Sequence, residues 1–422
     1  MAQKIGFISL GCSKNLVDTE MMIGYYKENG YEIVNNPEDA EILVINTCGF
    51  IESAKQEAID TILEMADYKK KNCKRLIVTG CLVERYKEEL EKELPEVDLF
   101  IPIKEYDQIF SKLDYMKRTI STGKNFAYLR IADGCSNYCT YCAIPYIRGP
   151  LKSRTIEDIL EEAKMLEKEG YKEIILIAQD TARFGMDIYG EPKLVELLKE
   201  LVKLNFDWIR FLYAYPEMIT DELIDVVAQN DKICNYFDIP IQHISDTVLK
   251  RMGRKSNGAS IKECIAKIRE RIPDAIIRTS LIVGFPGETE SDFDELYNFV
   301  KETKFNRLGV FKFSPEDGTP AVKLKEQIPD ERKEERYDII MSLQQEISKE
   351  NNQKIIGKKL KCLIEEITEE GDMYVTRSYM DVPDIDGFVF VKKEKEHKIG
   401  EYIECIIKEA YDYDLMAIEI EK

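Results

Sequence analysis

The chain has 422 residues, 44% of them hydrophobic and 33% charged, and a formal net charge of −19. That length is too great for one ordinary core and implies two or three domains, while the balance of apolar and charged residues excludes a disordered chain. No apolar run approaches the ~18 residues of a membrane span, and the acidity argues against a generic nucleic-acid binder, which needs a basic surface; a basic partner or simple solubility both account for it.

Ser9-Leu10-Gly11-Cys12 has the look of a lipoprotein processing site, but the apolar stretch before it, Ile5–Leu10, is shorter than a secretory core and only Lys4 precedes it as a cation. A cytoplasmic protein is expected. Ile5–Leu10 then reads as a strand, Asn15–Asn29 as a helix, Ile42–Asn46 as a buried strand, Ile51–Ala66 as a helix, Arg75–Thr79 as a third strand, Glu84–Lys92 as a helix and Val97–Ile101 as a last strand. The alternation predicts an open parallel α/β sheet over about the first 117 residues. Cys12, Cys48 and Cys81 each follow a strand of that sheet, and ligands of open α/β sheets bind beyond the carboxyl ends of strands. The three thiols, 36 and 33 residues apart in sequence, are therefore expected to meet at one edge.

A second βα series follows, with strands expected at Ala127–Ala132, Glu173–Ala178, Ile209–Ala214, Tyr236–Ile239, Ile276–Val283 and Arg307–Phe313. Helices intervene: Ile156–Glu169 behind the cap Arg154-Thr155, and Ser260–Arg271 stopping before Pro273. Six such units suggest a partial or full β/α barrel of the TIM type, whose chemistry sits at the carboxyl ends of its strands. A long charged helix, Pro329–Asn352, leads out. The period then changes to two over Lys358–Glu366, Met373–Arg377, Gly387–Val391, Tyr402–Lys408 and Leu415–Ile420, with Gly371, Gly387 and Gly400 at turns, which reads as a small five-stranded all-β barrel. The expected domains are 1–117, 121–351 and 354–422.

Eleven cysteines and two histidines, His243 and His397, make any metal set rich in thiolate. An odd count in a chain of this kind gives poor support to a disulfide framework. Cys135-Ser136-Asn137-Tyr138-Cys139-Thr140-Tyr141-Cys142 has CxxxCxxC spacing just after Leu129–Ala132. Three thiolates on a cubane of four irons leave one iron open, whereas four would close it as in simple electron carriers. Zinc with three cysteines and water is the competing chemistry, but zinc has no redox step and zinc ribbons usually carry two CxxC pairs.

With Tyr141 before its last cysteine, this segment resembles the signature of radical S-adenosylmethionine (SAM) enzymes. The wider resemblance, over essentially the whole chain, is to their methylthiotransferase family. It rests on Ser9-Leu10-Gly11-Cys12-Ser13-Lys14-Asn15-Leu16-Val17-Asp18-Thr19-Glu20, Asn46-Thr47-Cys48, Thr79-Gly80-Cys81, Ala143-Ile144-Pro145, Arg148-Gly149 and a terminal module similar to the TRAM domain. The opening motif, together with Ala178-Gln179-Asp180-Thr181, Asp238-Ile239-Pro240-Ile241-Gln242-His243 and Val283-Gly284-Phe285-Pro286-Gly287-Glu288-Thr289, resembles the branch that modifies a protein rather than tRNA. Residues 352–422 carry 17 acidic against 11 basic side chains, net −6, which an RNA-gripping module should not.

The resemblance implies two 4Fe–4S clusters, one on Cys135, Cys139 and Cys142 that chelates SAM, and an auxiliary one on Cys12, Cys48 and Cys81 that carries sulfur. It implies methylthiolation of the β-carbon of an aspartate in ribosomal protein S-twelve, with two SAM consumed. Hydrogen abstraction at that unactivated carbon lies beyond ordinary acid–base groups and falls to an adenosyl radical. The substrate carbon must sit between the clusters, so the first sheet is expected to face the barrel mouth. An electron donor such as flavodoxin or ferredoxin is implied; no membrane and no dedicated tRNA contact is expected. Tyr141 would lie against adenine. Gln179, Asp180, Arg210, Gln242, Arg278 and Gly284, near the mouth, are candidates for SAM or the substrate, and Arg148 and Arg154 for a carboxylate, against the plainer reading of structural hydrogen bonds. His243 reads as a supporting residue. Cys73, Cys234, Cys264, Cys362 and Cys405 fall outside every motif; Cys264 and Cys405 sit on apolar periods and read as small core side chains. The rivals are a tRNA methylthiotransferase and a non-catalytic iron–sulfur or zinc protein.

Overall fold

Continuous apolar runs make central parallel strands, and Ile42–Thr47 is one, buried along its whole length. In the computed structural model, which describes residues 2–110 and 113–420, it is the middle strand (β3) of a parallel sheet. Its companions are β1 (Lys4–Ser9), β2 (Glu32–Ile33), β4 (Arg75–Gly80) and β5 (Leu99–Ile101), in the order β2-β1-β3-β4-β5. Helices α1 (Ser13–Glu28), α2 (Glu52–Ala66) and α3 (Cys81–Glu93) follow β1, β3 and β4. The short β2 was not visible as a strand in the sequence, since two residues carry no period.

The barrel strands are β6 (Phe126–Arg130), then a small antiparallel pair β7 (Ala132–Asp133) and β8 (Lys152–Ser153), then β9 (Glu173–Ile177), β10 (Trp208–Phe211), β11 (Tyr236–Asp238), β12 (Ile276–Val283) and β13 (Arg307–Lys312). They form two parallel triplets, β10-β9-β6 and β11-β12-β13. The triplets are stitched by Ile209 N to Lys232 O (2.7 Å) and Ala214 N to Asp238 O (2.9 Å). The barrel is thus a partial one. Outward residues such as Ala127, Leu129, Ile174 and Leu176 pack under the helices. Inward residues Tyr128, Ile175, Ile177 and Leu212 form a second cluster into which α1 sends Val17 and Met21. The first domain therefore plugs the barrel with a helix rather than merely abutting it.

Helix Asp330–Gln353 leads to a closed barrel, β14-β15-β16-β18-β17, made of β14 (Lys359–Ile367), β15 (Met373–Ser378), β16 (Val389–Lys392), β17 (Tyr402–Ala410) and β18 (Leu415–Glu419). It covers the amino ends of the large barrel's strands. There Arg377 pairs with Glu173 (2.7 Å), Arg307 with Asp381, and the Trp208 and Tyr402 rings meet edge-on at 4.9 Å. The charged layer is largely desolvated and its members are mutually paired, which is what such groups require. Among the described residues no helix is long and apolar enough to cross a membrane.

Candidate active site

Strand register brings the first three thiols to one edge. Ser9 lies opposite Asn46, Asn46 opposite Thr79, and Thr47 opposite Gly80. Cys48 and Cys81 are each one residue past a paired position, and Cys12 caps α1. Gly11, at φ 90°, has no room for a side chain, because a Cβ there would lie 2.7 Å from Cys48 Cβ. Asn15 ties the three turns together, donating to Leu10 O and Thr47 O at 3.0 Å each and accepting from Cys81 Sγ at 3.5 Å. Burial pushes the Cys81 thiol up to about 12, against the pull of Arg148, and Cys12 and Cys48 both act on it; burial raises Cys48 as well, with Cys12 adding to the rise. The three sulfurs are electrostatic neighbours.

The second trio forms where β6 gives way to the loop 134–143. Gly134, at φ 68°, starts it; a Cβ there would strike Pro150 O at 2.1 Å. Cys135 N donates to Gly149 O (3.0 Å) and Thr140 N to Met252 O (2.9 Å), so both ends of the loop are fixed. Tyr215 Oη lies 3.7 Å and Arg254 Nη1 3.9 Å from Cys139 Sγ, with the guanidinium 4.0 Å over the Tyr215 ring. Burial lifts Cys135 to about 11 and raises Cys142 further, with Cys139 acting on both. A thiolate is thus disfavoured at these buried positions unless positive charge is placed among them, which is what iron supplies.

The two trios face one another. Cys81 packs with Ala143, the residue after Cys142, and with Ile147. Arg148 spans the gap: its Nη2 donates to Asp18 Oδ2 and Asn15 Oδ1 at 2.7 Å and lies 3.9 Å from Cys81 Sγ, while its Nη1 donates to Asp133 Oδ2 at 3.0 Å. Arg130 holds the other Asp18 oxygen at 2.5 Å. Burial would raise Asp133, but Arg148 and Arg130 outweigh it and bring that carboxyl to about 2.

Among the described residues no three His, Cys, Asp or Glu side chains are grouped to hold a single metal ion. Donor sets that are all sulfur, one spread over three turns and the other within one loop, fit iron–sulfur clusters. Buried polar atoms without partners, Asn137 Oδ1, Gln179 Oε1, Glu217 Oε2 and Arg254 Nε, line the mouth around Cys139 and fit a polar ligand there.

The other sequence candidates divide. Asp180 is at the mouth: it accepts from Asn137 Nδ2 (2.9 Å), pairs with Arg183 (3.1 Å), and burial carries it up to about 6 despite both. Gln179 is there too, donating to Asp133 Oδ1 at 3.2 Å. Gln242 is held at φ 70° beyond β11, with its amide on Ser280 O. Tyr141 is half-buried and meets Phe285 edge-on at 6.4 Å. Gly284 turns the chain against Lys333, and its amide is engaged by the Glu288 carboxylate.

Arg210 and Arg278 do not reach the mouth. Arg210 is fully buried at the opposite end on Glu173 (2.8 Å) and Tyr379 O (2.9 Å). Arg278 binds Asp238 (2.9 Å), with Asp386 of the small barrel at 3.7 Å. Arg278 is early in β12 and Arg210 reaches back to Glu173, the first residue of β9; the terminal barrel claims that end. Arg154 is spent on Asp158 and Glu162 and Arg148 on Asp18 and Asp133, so neither is free for a ligand carboxylate. Sequence reasoning missed Asn15, Asp18, Asp133, Tyr215 and Arg254 as site residues; only the first two lay within a motif already noticed.

Comparison with known proteins gives three matches along the chain: the family UPF0004 over residues 4–102, the radical SAM superfamily over 129–300 and the TRAM domain over 356–420. The ribosomal protein uS12 methylthiotransferase RimO of Alkaliphilus oremlandii is 62% identical, covering 97% of this chain and 98% of that one. The protein of the same name from Acetivibrio thermocellus is 48% identical over 99% and 98%. Among solved structures, the radical SAM methyltransferase TsrM of Kitasatospora setae, with cobalamin and a [4Fe-4S] cluster bound, covers 76% of this chain and 77% of its own at TM-score 0.59 and 11% identity, a likeness of fold alone.

Proposed function

Because the chain belongs to the RimO family of radical SAM methylthiotransferases, we propose that it adds a methylthio group to the β-carbon of an aspartate in ribosomal protein S-twelve. It is an enzyme that works with SAM and a 4Fe–4S cluster. We assign that cluster to Cys135, Cys139 and Cys142 and a second one to Cys12, Cys48 and Cys81, and take the domains as 1–117, 121–351 and 354–422. The observation that carries the reading is the pair of thiol trios facing across one barrel mouth with Arg148 between them.

When bound, the clusters and SAM supply one-electron chemistry able to take hydrogen from an unactivated C–H bond, and a sulfur to replace it. The chain's own part is placement. Arg254 and Tyr215 give positive charge and a hydrogen-bonding hydroxyl beside Cys139. Asn137 and Asp180 brace the loop between the first two cysteines of its motif. Asn15 holds the three turns of the first sheet. Val17 and Met21 fill the barrel interior and exclude water from it. The acidic terminal module, net −6, is suited to a basic ribosomal protein and ill suited to RNA. An electron carrier of the flavodoxin or ferredoxin type completes the partners.

Two variants of the reconstituted enzyme test this. Cys139→Ala should abolish SAM cleavage. Cys48→Ala should keep SAM cleavage while sulfur transfer to the ribosomal protein, read by mass spectrometry, stops. Variants that lose stability but keep both activities would end the assignment, and wild-type enzyme that modifies tRNA instead would redirect it.

A further inference from the structure

Lys14 lies on the first turn of α1, two residues past Cys12, and is 6% exposed. Its Nζ sits 3.2 Å from the centroid of the Tyr213 ring. Tyr213 follows β10 at the barrel mouth, in a left-handed backbone (φ 61°) that a bulky residue adopts only when its surroundings enforce it. The enforcement is visible: its amide donates to Asp238 Oδ2 at 3.0 Å and its carbonyl accepts from Thr181 N at 3.0 Å. Two residues on, Tyr215 touches Cys139. The Lys14 ammonium is thereby fixed at the barrel mouth, two residues from Cys12 and over the turn that carries Tyr215.

Among the described residues it makes no hydrogen bond or ion pair, and the aromatic face is its one recorded partner. The other buried cations at the mouth are at least partly spent: Arg130 and Arg148 on Asp18 and Asp133, Arg183 on Asp180 and Glu217, and Arg254 on Pro240 O, with its Nε left over. A desolvated ammonium with three unspent donors is costly to hold and is offset when an anion arrives. Arg254 and Arg183 lie on the barrel beside Cys139 and Asp180, whereas Lys14 belongs to the facing domain, so the anion it awaits is on the substrate side.

Resting on the function proposed above, we infer that Lys14 binds the carboxylate of the substrate aspartate. The carbon one bond from that carboxylate is the one to be modified, so this contact both positions it and selects an acidic side chain over a neutral one.

The test uses full-length reconstituted enzyme and purified ribosomal protein S-twelve, carrying either the target aspartate or asparagine in its place. Binding is followed by fluorescence anisotropy, with SAM cleavage and KM measured alongside. Wild type should bind the aspartate form about ten- to a hundredfold more tightly, the range of a charge-assisted hydrogen bond. Lys14→Met, uncharged and of similar shape, should weaken the aspartate form alone and raise its KM without changing SAM affinity. Lys14→Arg should restore part of the preference. Lys14→Met that keeps the preference, weakens both forms equally, or lowers SAM affinity would overturn the inference. A wild-type enzyme that binds and modifies neither form would sink the parent reading and this one with it.

Discussion

Arg148 is the side chain on which the alignment of the two thiol sites depends. Its side chain is 1% exposed and makes two 2.7 Å contacts to the first domain and one of 3.0 Å to Asp133, two residues before Cys135. Arg148→Met removes all three. Breaking a buried ionic network by deleting one partner costs about 3–5 kcal/mol. Here Arg130 remains on Asp18 at 2.5 Å and on Asp133 at 3.8 Å, so the lower end, about 3 kcal/mol, is expected. That loss should appear as a lower unfolding midpoint and, more tellingly, as a separation of activities. SAM cleavage should persist, since no contact of Arg148 is to Cys135, Cys139 or Cys142, while methylthiolation should fall about a hundredfold, the cost of a misplacement near 1 Å. Arg148→Lys should rescue little, because one ammonium cannot reproduce the planar fork. The measurements are denaturant unfolding, iron content, and the ratio of SAM cleaved to product formed. Wild-type coupling of the two activities in Arg148→Met with full iron would refute the reasoning.

Two further perturbations probe the frame. His243 and Glu288 lie 4.0 Å apart, both fully buried; burial lowers His243 to about 3, with Arg336 adding to that and Asp292 opposing, and raises Glu288 to about 7, with Arg336 opposing and Asp292 adding. Between pH 6.5 and 4.5 the unfolded chain binds the histidine proton that the native state refuses, which costs stability as pH falls. Over the same window the native state holds a Glu288 proton that the unfolded chain lacks, which adds it. The two oppose at about 1.4 kcal/mol per pH unit each. Glu288→Gln should therefore lose stability relative to wild type as pH falls from 6.5 to 4.5, and His243→Gln should gain it; urea midpoints that run parallel for all three proteins would dismiss the pairing. At the barrel floor, Glu173 accepts from Arg210 at 2.8 Å and Arg377 at 2.7 Å. Glu173→Gln leaves two buried guanidiniums short of charge and should cost about 3–5 kcal/mol in thermal or denaturant unfolding, a drop under 1 kcal/mol being incompatible with this account.

The chemistry was legible where it is local in the chain. CxxxCxxC puts three donors within one loop, and a cysteine after each of three βα turns puts three more at one sheet edge, because parallel strands bring like turns together. The change from the βα rhythm to a period of two marked the terminal barrel for the same reason: backbone periodicity is a property of neighbours in sequence. What sequence could not decide was which end of a strand meets what. Arg210 and Arg278 sit on barrel strands as plausibly as Gln179 and Asp180 do, yet the small barrel covers the amino ends and takes both arginines into its seam with Glu173 and Asp386.

Nor could sequence pair Arg148 with Asp18, 130 residues away, or place Lys14 under Tyr213. Those contacts exist only because α1 enters the barrel and carries its first turn to the mouth. The six motif cysteines were thus written in local patterns, one three-cysteine loop and one βα turn used three times, which the backbone enforces by itself. The residues that align the two sites are chosen by the docking of separate domains, where desolvated charges pair with whatever the packing brings within reach.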